Sequence, residues 1–273
     1  MHRNDDSLAH SRRDPSATVP NVAPSRQWLV SVRDIDEAKC AADFGVDILD
    51  LKEPDGGSLA PTSAETWQEV SDWAGSCRAD RRRPFRLSAA LGESDQAAGL
   101  APYVPADFDF AKAGPSECNC ESQLFGLWDT LRAALPNSVE LVAVAYADHT
   151  TARSLPALSI ISLAARAGFK RILLDTFDKS QQSAIDGQQS AIDGMGTSQL
   201  AEFGRLTRQH RLWWSLAGSI KLEHLVELEG LFPDIRFSPD CVAVRGDVCD
   251  HSRTGMLCRD RLAAWSSVMH RSG

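Results

Sequence analysis

Residues 28–45 read WLVSVRDIDEAKCAADFG. An apolar run of strand length, WLVSVR, passes straight into Asp34 and a helix-like segment, Asp34 to Phe44, that stops at Gly45. Asp34 is a candidate N-cap and Gly45 a candidate C′ residue. The turn after the strand, SVRDID, contains no glycine. A doubly wound nucleotide-binding sheet usually carries its Gly-rich fingerprint there, so this stretch favours a different α/β architecture.

The same alternation repeats along the chain. Runs of strand length follow at 47–52 (DILDLK), 85–91 (FRLSAAL), 107–114 (DFDFAKAG), 140–148 (ELVAVAYAD), 171–176 (RILLDT), 212–219 (LWWSLAGS) and 241–246 (CVAVRG). Most are near-continuous in hydrophobicity, as parallel strands covered on both faces are. Helical segments fall at Ser63 to Trp73, Gln123 to Leu135, Ala157 to Ala167, Thr197 to His210, Leu222 to Leu231 and Arg259 to His270. Between the third and fourth strands only Ser94 to Tyr103 is left, enough for a short helix. Eight such alternations predict a single (β/α)8 TIM barrel over 27–273, with an open doubly wound sheet as the alternative.

Residues 1–26 form a polar stretch without apolar periodicity, read as a disordered tail. The heptapeptide QQSAIDG at 181–187 recurs unchanged at 188–194 and reads as a duplication inside a surface loop.

Composition narrows the function. The 273 residues carry 29 Lys+Arg against 37 Asp+Glu, a net charge of −8, which argues against nucleic acid or an anionic membrane as partner. No apolar run approaches the roughly 20 residues of a membrane span. Seven scattered cysteines fit a reducing cytoplasm better than a disulfide framework. Cys118-Asn119-Cys120 lacks a second cysteine pair or a spaced histidine, so no metal is expected. A small-molecule substrate and a homo-oligomeric assembly are expected.

In a barrel the chemistry sits at the C-terminal ends of the strands. The second strand ends Asp50-Leu51-Lys52, so Asp50 and Lys52 share the inward face. A lysine there meets a low dielectric, which favours the neutral amine that forms Schiff bases; the plainer alternative is a rim salt bridge. The pattern recurs with Lys112 on the fourth strand, and with Asp175 and Lys179 at the end of the sixth. Only six lysines occur in the chain, and three fall at these positions. Arginine cannot lose its proton, so a site that needs a titratable amine must use lysine.

Gly218-Ser219 after the seventh strand and Arg245-Gly246 after the eighth occupy the places where barrels bind phosphate. Gly57 and Ser58 in the loop after the second strand are further candidates. Asp148-His149 ends the fifth strand and admits either a proton-transfer or a structural role, and Trp213-Trp214 reads as packing.

These blocks resemble the (5-formylfuran-3-yl)methyl phosphate synthase family. The resemblance is carried by LVSVRD (29–34), DILDLKEPDGGSL (47–59), SAALG (88–92), AKAG (111–114), LVAVAYAD (141–148), AGFKRILLDTFDK (167–179), LAGSI (216–220) and VRGDVC (244–249), and it covers about 27–265. It implies a TIM-barrel lyase that joins two glyceraldehyde 3-phosphates into a phosphorylated furan aldehyde, losing phosphate and water, for methanofuran-type cofactors of one-carbon metabolism. It also implies Lys52 as the Schiff-base lysine, Asp50 beside it, Lys112, Lys179 and Asp175 as further active-site residues, and no cofactor, since the imine is the electron sink. The tail, the doubled heptapeptide and Asp247 depart from the family pattern. Another Schiff-base aldolase on sugar phosphates, or a non-catalytic phosphometabolite-binding barrel, remain the alternatives.

Overall fold

The computed structural model describes residues 26–78, 85–178 and 190–270. Its eight strands are β1 (Gln27–Val32), β2 (Ile48–Leu51), β3 (Arg86–Glu93), β4 (Phe110–Gly114), β5 (Glu140–Tyr146), β6 (Arg171–Asp175), β7 (Trp213–Leu216) and β8 (Cys241–Val244). They pair in sequence order, and β8 returns to β1 in parallel, with Gln27 opposite Cys241 and Val30 opposite Val244. The sheet is therefore the closed (β/α)8 barrel that the alternation predicts, and the open-sheet alternative falls.

Strand alternation divides the core. Leu49 and Leu51 face outward into a large cluster shared with the helices, together with Trp28, Trp67, Trp214 and Trp265. Ile48 faces inward with Leu29, Phe110, Val142 and Leu173, filling the barrel's lower interior. The two faces of one four-residue strand thus serve two separate cores.

Local signals hold where partners are near in sequence. Asp34 accepts the N–H of Glu37 and caps the helix Ile35–Asp43, and Gly45 takes φ +76° beyond its end. The connection after β3 is short, a turn of α-helix (Ala97–Leu100) and a 3-10 turn (Ala101–Tyr103). Trp214 packs between Phe203 and Phe232, as its packing role requires.

Three expectations change. The fifth strand ends at Tyr146 rather than at 148, because Asp148 leads into the short helix His149–Ala152. Arg26, placed in the tail, is tied by its guanidinium to Ser238 Oγ at 2.6 Å, so this residue packs on the barrel. Residues 190–194 of the second heptapeptide, the part that is described, are not a surface loop. Ser190 and Asp193 form a reciprocal capping box, and Ala191 and Ile192 are buried in the short helix Ala191–Met195. The first copy, Lys179 and the rest of the tail lie outside the described residues.

Candidate active site

Above the apolar filling of the barrel lies a layer of inward polar side chains: Ser31 of β1, Asp50 of β2, Ser88 of β3, Lys112 of β4 and Ser215 of β7, all buried. The cavity beneath Lys112 is only about 20 Å³, roughly the space of one water.

Asp50 and Lys112 form the centre of this layer. Lys112 Nζ lies 2.6 Å from Asp50 Oδ1 and 3.4 Å from Ser88 Oγ. Ser31 Oγ donates to the other oxygen of Asp50 at 3.2 Å. Register explains the meeting: Asp50 stands level with Ser31 and Ser88, and Lys112 sits level with Ala90, one inward position higher, and reaches down. The ion pair is almost wholly withdrawn from water, at 6% and 2% side-chain exposure. Two charges so placed are held by each other, and removing either leaves the other buried and uncompensated. The sequence reading coupled Asp50 to Lys52, its neighbour along the strand; in three dimensions its ion-pair partner is Lys112.

Lys52 follows the last residue of β2 and extends the ladder, its N–H donating to Val32 O at 3.0 Å. It is buried, and it continues the inward row of Ile48 and Asp50 toward the mouth.

Asp175, the last residue of β6, is also buried. Its Oδ1 accepts the N–H of Thr176 at 2.8 Å, and its Oδ2 accepts Ser58 Oγ at 3.2 Å. Ser58 also donates to Thr176 O at 2.6 Å, which latches the loop after β2 onto the end of β6. Its hydroxyl is therefore turned to protein groups. Asp148 accepts the N–H groups of Phe177 and Asp178 at 2.7 and 2.9 Å. That residue thus holds the segment leading to Lys179.

The phosphate candidates separate into two kinds. Gly218 has φ +89° and Ser219 φ +55°, a tight turn after β7. A Cβ on Gly218 would press on Ala191 Cβ and Thr176 N at 3.0 and 3.1 Å, so glycine is required there. Among the described residues no protein acceptor takes the N–H of Gly218 or Ser219. Gly246 opens the 3-10 turn Gly246–Val248 beside them.

Arg245 is different. Its guanidinium makes a buried two-pronged ion pair with Glu37, the second contact at 2.9 Å, and donates to Ser31 O, Arg253 O and Gly255 O. These acceptors use all five of its N–H donors, so Arg245 bolts β8 to the first helix and has none left for a phosphate.

Arg253, which the sequence reading passed over, lies nearer the mouth. Its Nη2 donates to Gly57 O at 2.8 Å, and Asp175 is the foremost charge acting on it. A second unforeseen group is Glu93 at the end of β3. Tyr146 OH donates to its Oε1 at 2.6 Å, and the N–H of Ser116 donates to its Oε2 at 3.3 Å. Burial pushes the Glu93 carboxyl above the usual carboxylate range and the Tyr146 phenol well above the usual tyrosine value. Nothing in the sequence signals them, since its third and fifth strands are read to 91 and 148 and only the structure ends these strands at Glu93 and Tyr146.

A closed parallel barrel with buried lysines and carboxylates at its C-terminal mouth is the architecture of a (β/α)8 enzyme. The 4-HFC-P synthase family matches residues 28–266, and the chain belongs to that family of enzymes. It is 31% identical over 233 residues to the (5-formylfuran-3-yl)methyl phosphate synthase of Methanosarcina acetivorans, covering 82% of this chain and 91% of the relative. It is 28% identical to the synthase of the same name from Archaeoglobus fulgidus, covering 89% and 98%. Among solved structures it resembles (S)-3-O-geranylgeranylglyceryl phosphate synthase from Thermoplasma acidophilum, with TM-score 0.54, 13% identity and coverage of 91% and 94%. That last likeness is one of fold. Among the described residues no helix is long and apolar enough to cross a membrane.

Proposed function

We propose that this enzyme is a carbon–oxygen lyase that condenses two molecules of glyceraldehyde 3-phosphate into (5-formylfuran-3-yl)methyl phosphate, with loss of phosphate and water, through a Schiff base on Lys52. The product would feed a methanofuran-type carrier of one-carbon units. The observation that carries this reading is Lys52 buried at the end of β2, one inward step above an Asp50–Lys112 ion pair. The relatives' shared name supplies the product.

In this mechanism the Lys52 amine attacks the carbonyl of one triose in its ketone form and expels water. The imine acidifies the neighbouring carbon by drawing electrons toward nitrogen. The Lys112 ammonium, held by Asp50, faces the oxygen on which negative charge develops during enolisation. Asp175 takes and returns protons at the carbon skeleton, and Lys179 joins it in proton transfer. Aldol addition to the second aldehyde, elimination of phosphate, cyclisation and dehydration follow, and hydrolysis of the imine returns the Lys52 amine and releases the furan. The phosphates lie against the N–H groups of Gly218, Ser219, Gly246 and Gly57, with Arg253 in the place first given to Arg245.

The test is incubation of the pure protein with glyceraldehyde 3-phosphate, following ultraviolet furan absorbance, phosphate release and product mass. Borohydride should trap an adduct on the peptide containing Lys52, and Lys52→Ala should abolish both trapping and product. Reversible aldol cleavage without furan would make the enzyme an aldolase. Tight binding without turnover, indifferent to Lys52→Ala, would make it a binding protein. An adduct on Lys112 or Lys179 alone would move the nucleophile.

A further inference from the structure

The mouth also holds an acid–phenol pair that none of the steps above uses. Glu93, Gly114 and Tyr146 are the last residues of β3, β4 and β5. A Cβ on Gly114 would collide with both the Glu93 carboxylate and the Tyr146 hydroxyl, so the bare glycine is what lets these two side chains meet across β4. Tyr146 is fully buried, and Phe177 closes over it with ring centroids 5.4 Å apart. On its other side the phenol oxygen meets the Ser58 hydroxyl and feels the charge of Asp175. Tyr146 on β5 is thus hydrogen-bonded to Glu93 on β3, and Ser58 after β2, which lies beside the phenol, is hydrogen-bonded to Asp175 on β6.

A pair that only braced three strands would do so with a glutamine or a carbonyl as acceptor. A carboxyl here costs desolvation that a neutral acceptor would not. Groups held at such a cost at the mouth of a barrel are candidates for proton chemistry.

We propose that Glu93 and Tyr146 form a proton relay that serves Asp175 during furan formation. The inference rests on the reading of Asp175 as the group that exchanges protons with the substrate. In its acid form Asp175 gives its proton to Ser58 Oγ, Ser58 swings its own hydroxyl hydrogen from Thr176 O to the Tyr146 oxygen and gives it up there, and Tyr146 gives its own to Glu93. The net change is one proton moved from Asp175 to Glu93, which frees Asp175 for the next deprotonation. The reverse sequence returns it when a leaving oxygen needs protonation. Only O–H bonds form and break, and nothing is oxidised or reduced. The titratable groups facing Glu93 are Tyr146 of β5, Asp175 of β6 and Cys118 after β4. With burial as the main cause, the Glu93 carboxyl holds its proton into a higher pH range than a free glutamate.

Glu93→Gln keeps the size of the side chain and an acceptor for Tyr146 but cannot carry a proton. Tyr146→Phe keeps the ring and removes the hydroxyl. Furan turnover should fall about tenfold or more in each, with KM and the borohydride-trapped Lys52 adduct as in the wild type. The kcat–pH limb belonging to Glu93 should vanish in Glu93→Gln. Turnover within threefold of wild type and an unchanged pH profile would reduce the pair to a brace and overturn the relay. Loss of the Lys52 adduct in a folded variant would also overturn it, in favour of site assembly. If Glu93→Gln does not fold, Tyr146→Phe decides by the same readouts. A wild-type protein that makes no furan and traps no adduct refutes the function itself and takes the relay with it. That outcome shows in the parent enzyme, whereas failure of the relay alone shows only in the variants.

Discussion

At the N-terminal end of the barrel, Asp47, Asp109 and Asp240 each accept a backbone N–H from the preceding strand: from Trp28 at 2.9 Å, Leu87 at 2.9 Å and Trp214 at 2.8 Å. Each also donates its own N–H back to the carbonyl of the same residue. Arg86 and Arg171 lie on the Phe110 ring there, both 4.9 Å from its centroid. At the C-terminal end, Asp50 and Asp175 sit on the last turns of the ladder and take side-chain partners: Lys112 and Ser31 for one, Ser58 for the other. The residue type is the same and the difference is where it stands on the strand. An aspartate just before a strand finds the N–H groups that a staggered barrel leaves open at its start, and it is consumed by them. An aspartate at the end of a strand points inward past the last apolar layer, where side chains such as Lys112 and Ser58 reach it and a substrate can too.

The largest expected effect lies at the upper end. Asp50→Ala strands the Lys112 ammonium in the barrel and should cost about 3–5 kcal/mol of stability, read by denaturant unfolding, besides abolishing turnover. A loss under about 1 kcal/mol would show that water or another group reaches Lys112.

Next is Lys179→Arg. Arginine keeps the charge but cannot release a proton, so turnover should drop on the order of a hundredfold with little change in Tm. Turnover within threefold would make Lys179 an electrostatic anchor and shift proton transfer to Lys112 or Asp175.

Asp240→Ala probes the lower end. It leaves the Trp214 N–H without its side-chain acceptor and removes the ion pair with Arg208, for a cost of about 1–3 kcal/mol. Turnover per folded molecule should stay within twofold. A selective loss of turnover would break the division between the two ends.

The phenol of Tyr146 gives a pH test. Burial raises it, so the folded protein holds this proton longer than the unfolded chain does. Its stabilising contribution is full below the ordinary tyrosine value of about 10 and is lost as pH climbs beyond it. With Tyr103→Phe, Tyr146 is the sole tyrosine, and tyrosinate absorbance should rise only together with unfolding. A rise while the circular dichroism stays native would mean that water reaches the phenol.

The smallest effect is removal of one heptapeptide. The copies are identical, so deletion of 181–187 or of 188–194 yields the same chain, and the remaining SAIDG can form the capped helix. Thr176 and Ala191 both pack on Gly218, so the ends of the intervening segment are already close. Halving that segment changes closure entropy by only about 0.6 kcal/mol, a shift that thermal melting should barely register. A large fall in Tm would mean that both copies contribute packing.

The inward row Ile48, Asp50, Lys52 was legible because a period of two needs no knowledge of the rest of the chain. So were the Asp34 cap and the Gly45 stop, each decided within one turn of helix. Arg245 was misread because its partner Glu37 lies 208 residues away, and a strand-end arginine bound to a carboxylate looks the same in sequence as one awaiting a phosphate. Glu93 and Tyr146 were passed over for the same reason: 53 residues separate them, and a glycine on a third strand permits their meeting. The second heptapeptide shows the limit at its plainest, since nothing in the repetition signals that its Ser190 caps a short helix whose Ala191 and Ile192 are buried.

The sequence by itself determined the eight strands, the main helical segments that alternate with them and the shared inward face of Asp50 and Lys52, because alternation, capping and apolar periodicity act over a few neighbouring residues. Only the tertiary structure decided the partners. It gave Asp50 to Lys112 rather than to Lys52, withdrew Arg245 from the mouth, brought Arg253 to Gly57, and joined Glu93 to Tyr146. Pairing across a barrel depends on strand stagger and side-chain reach, and those are set when the eight strands close on one another.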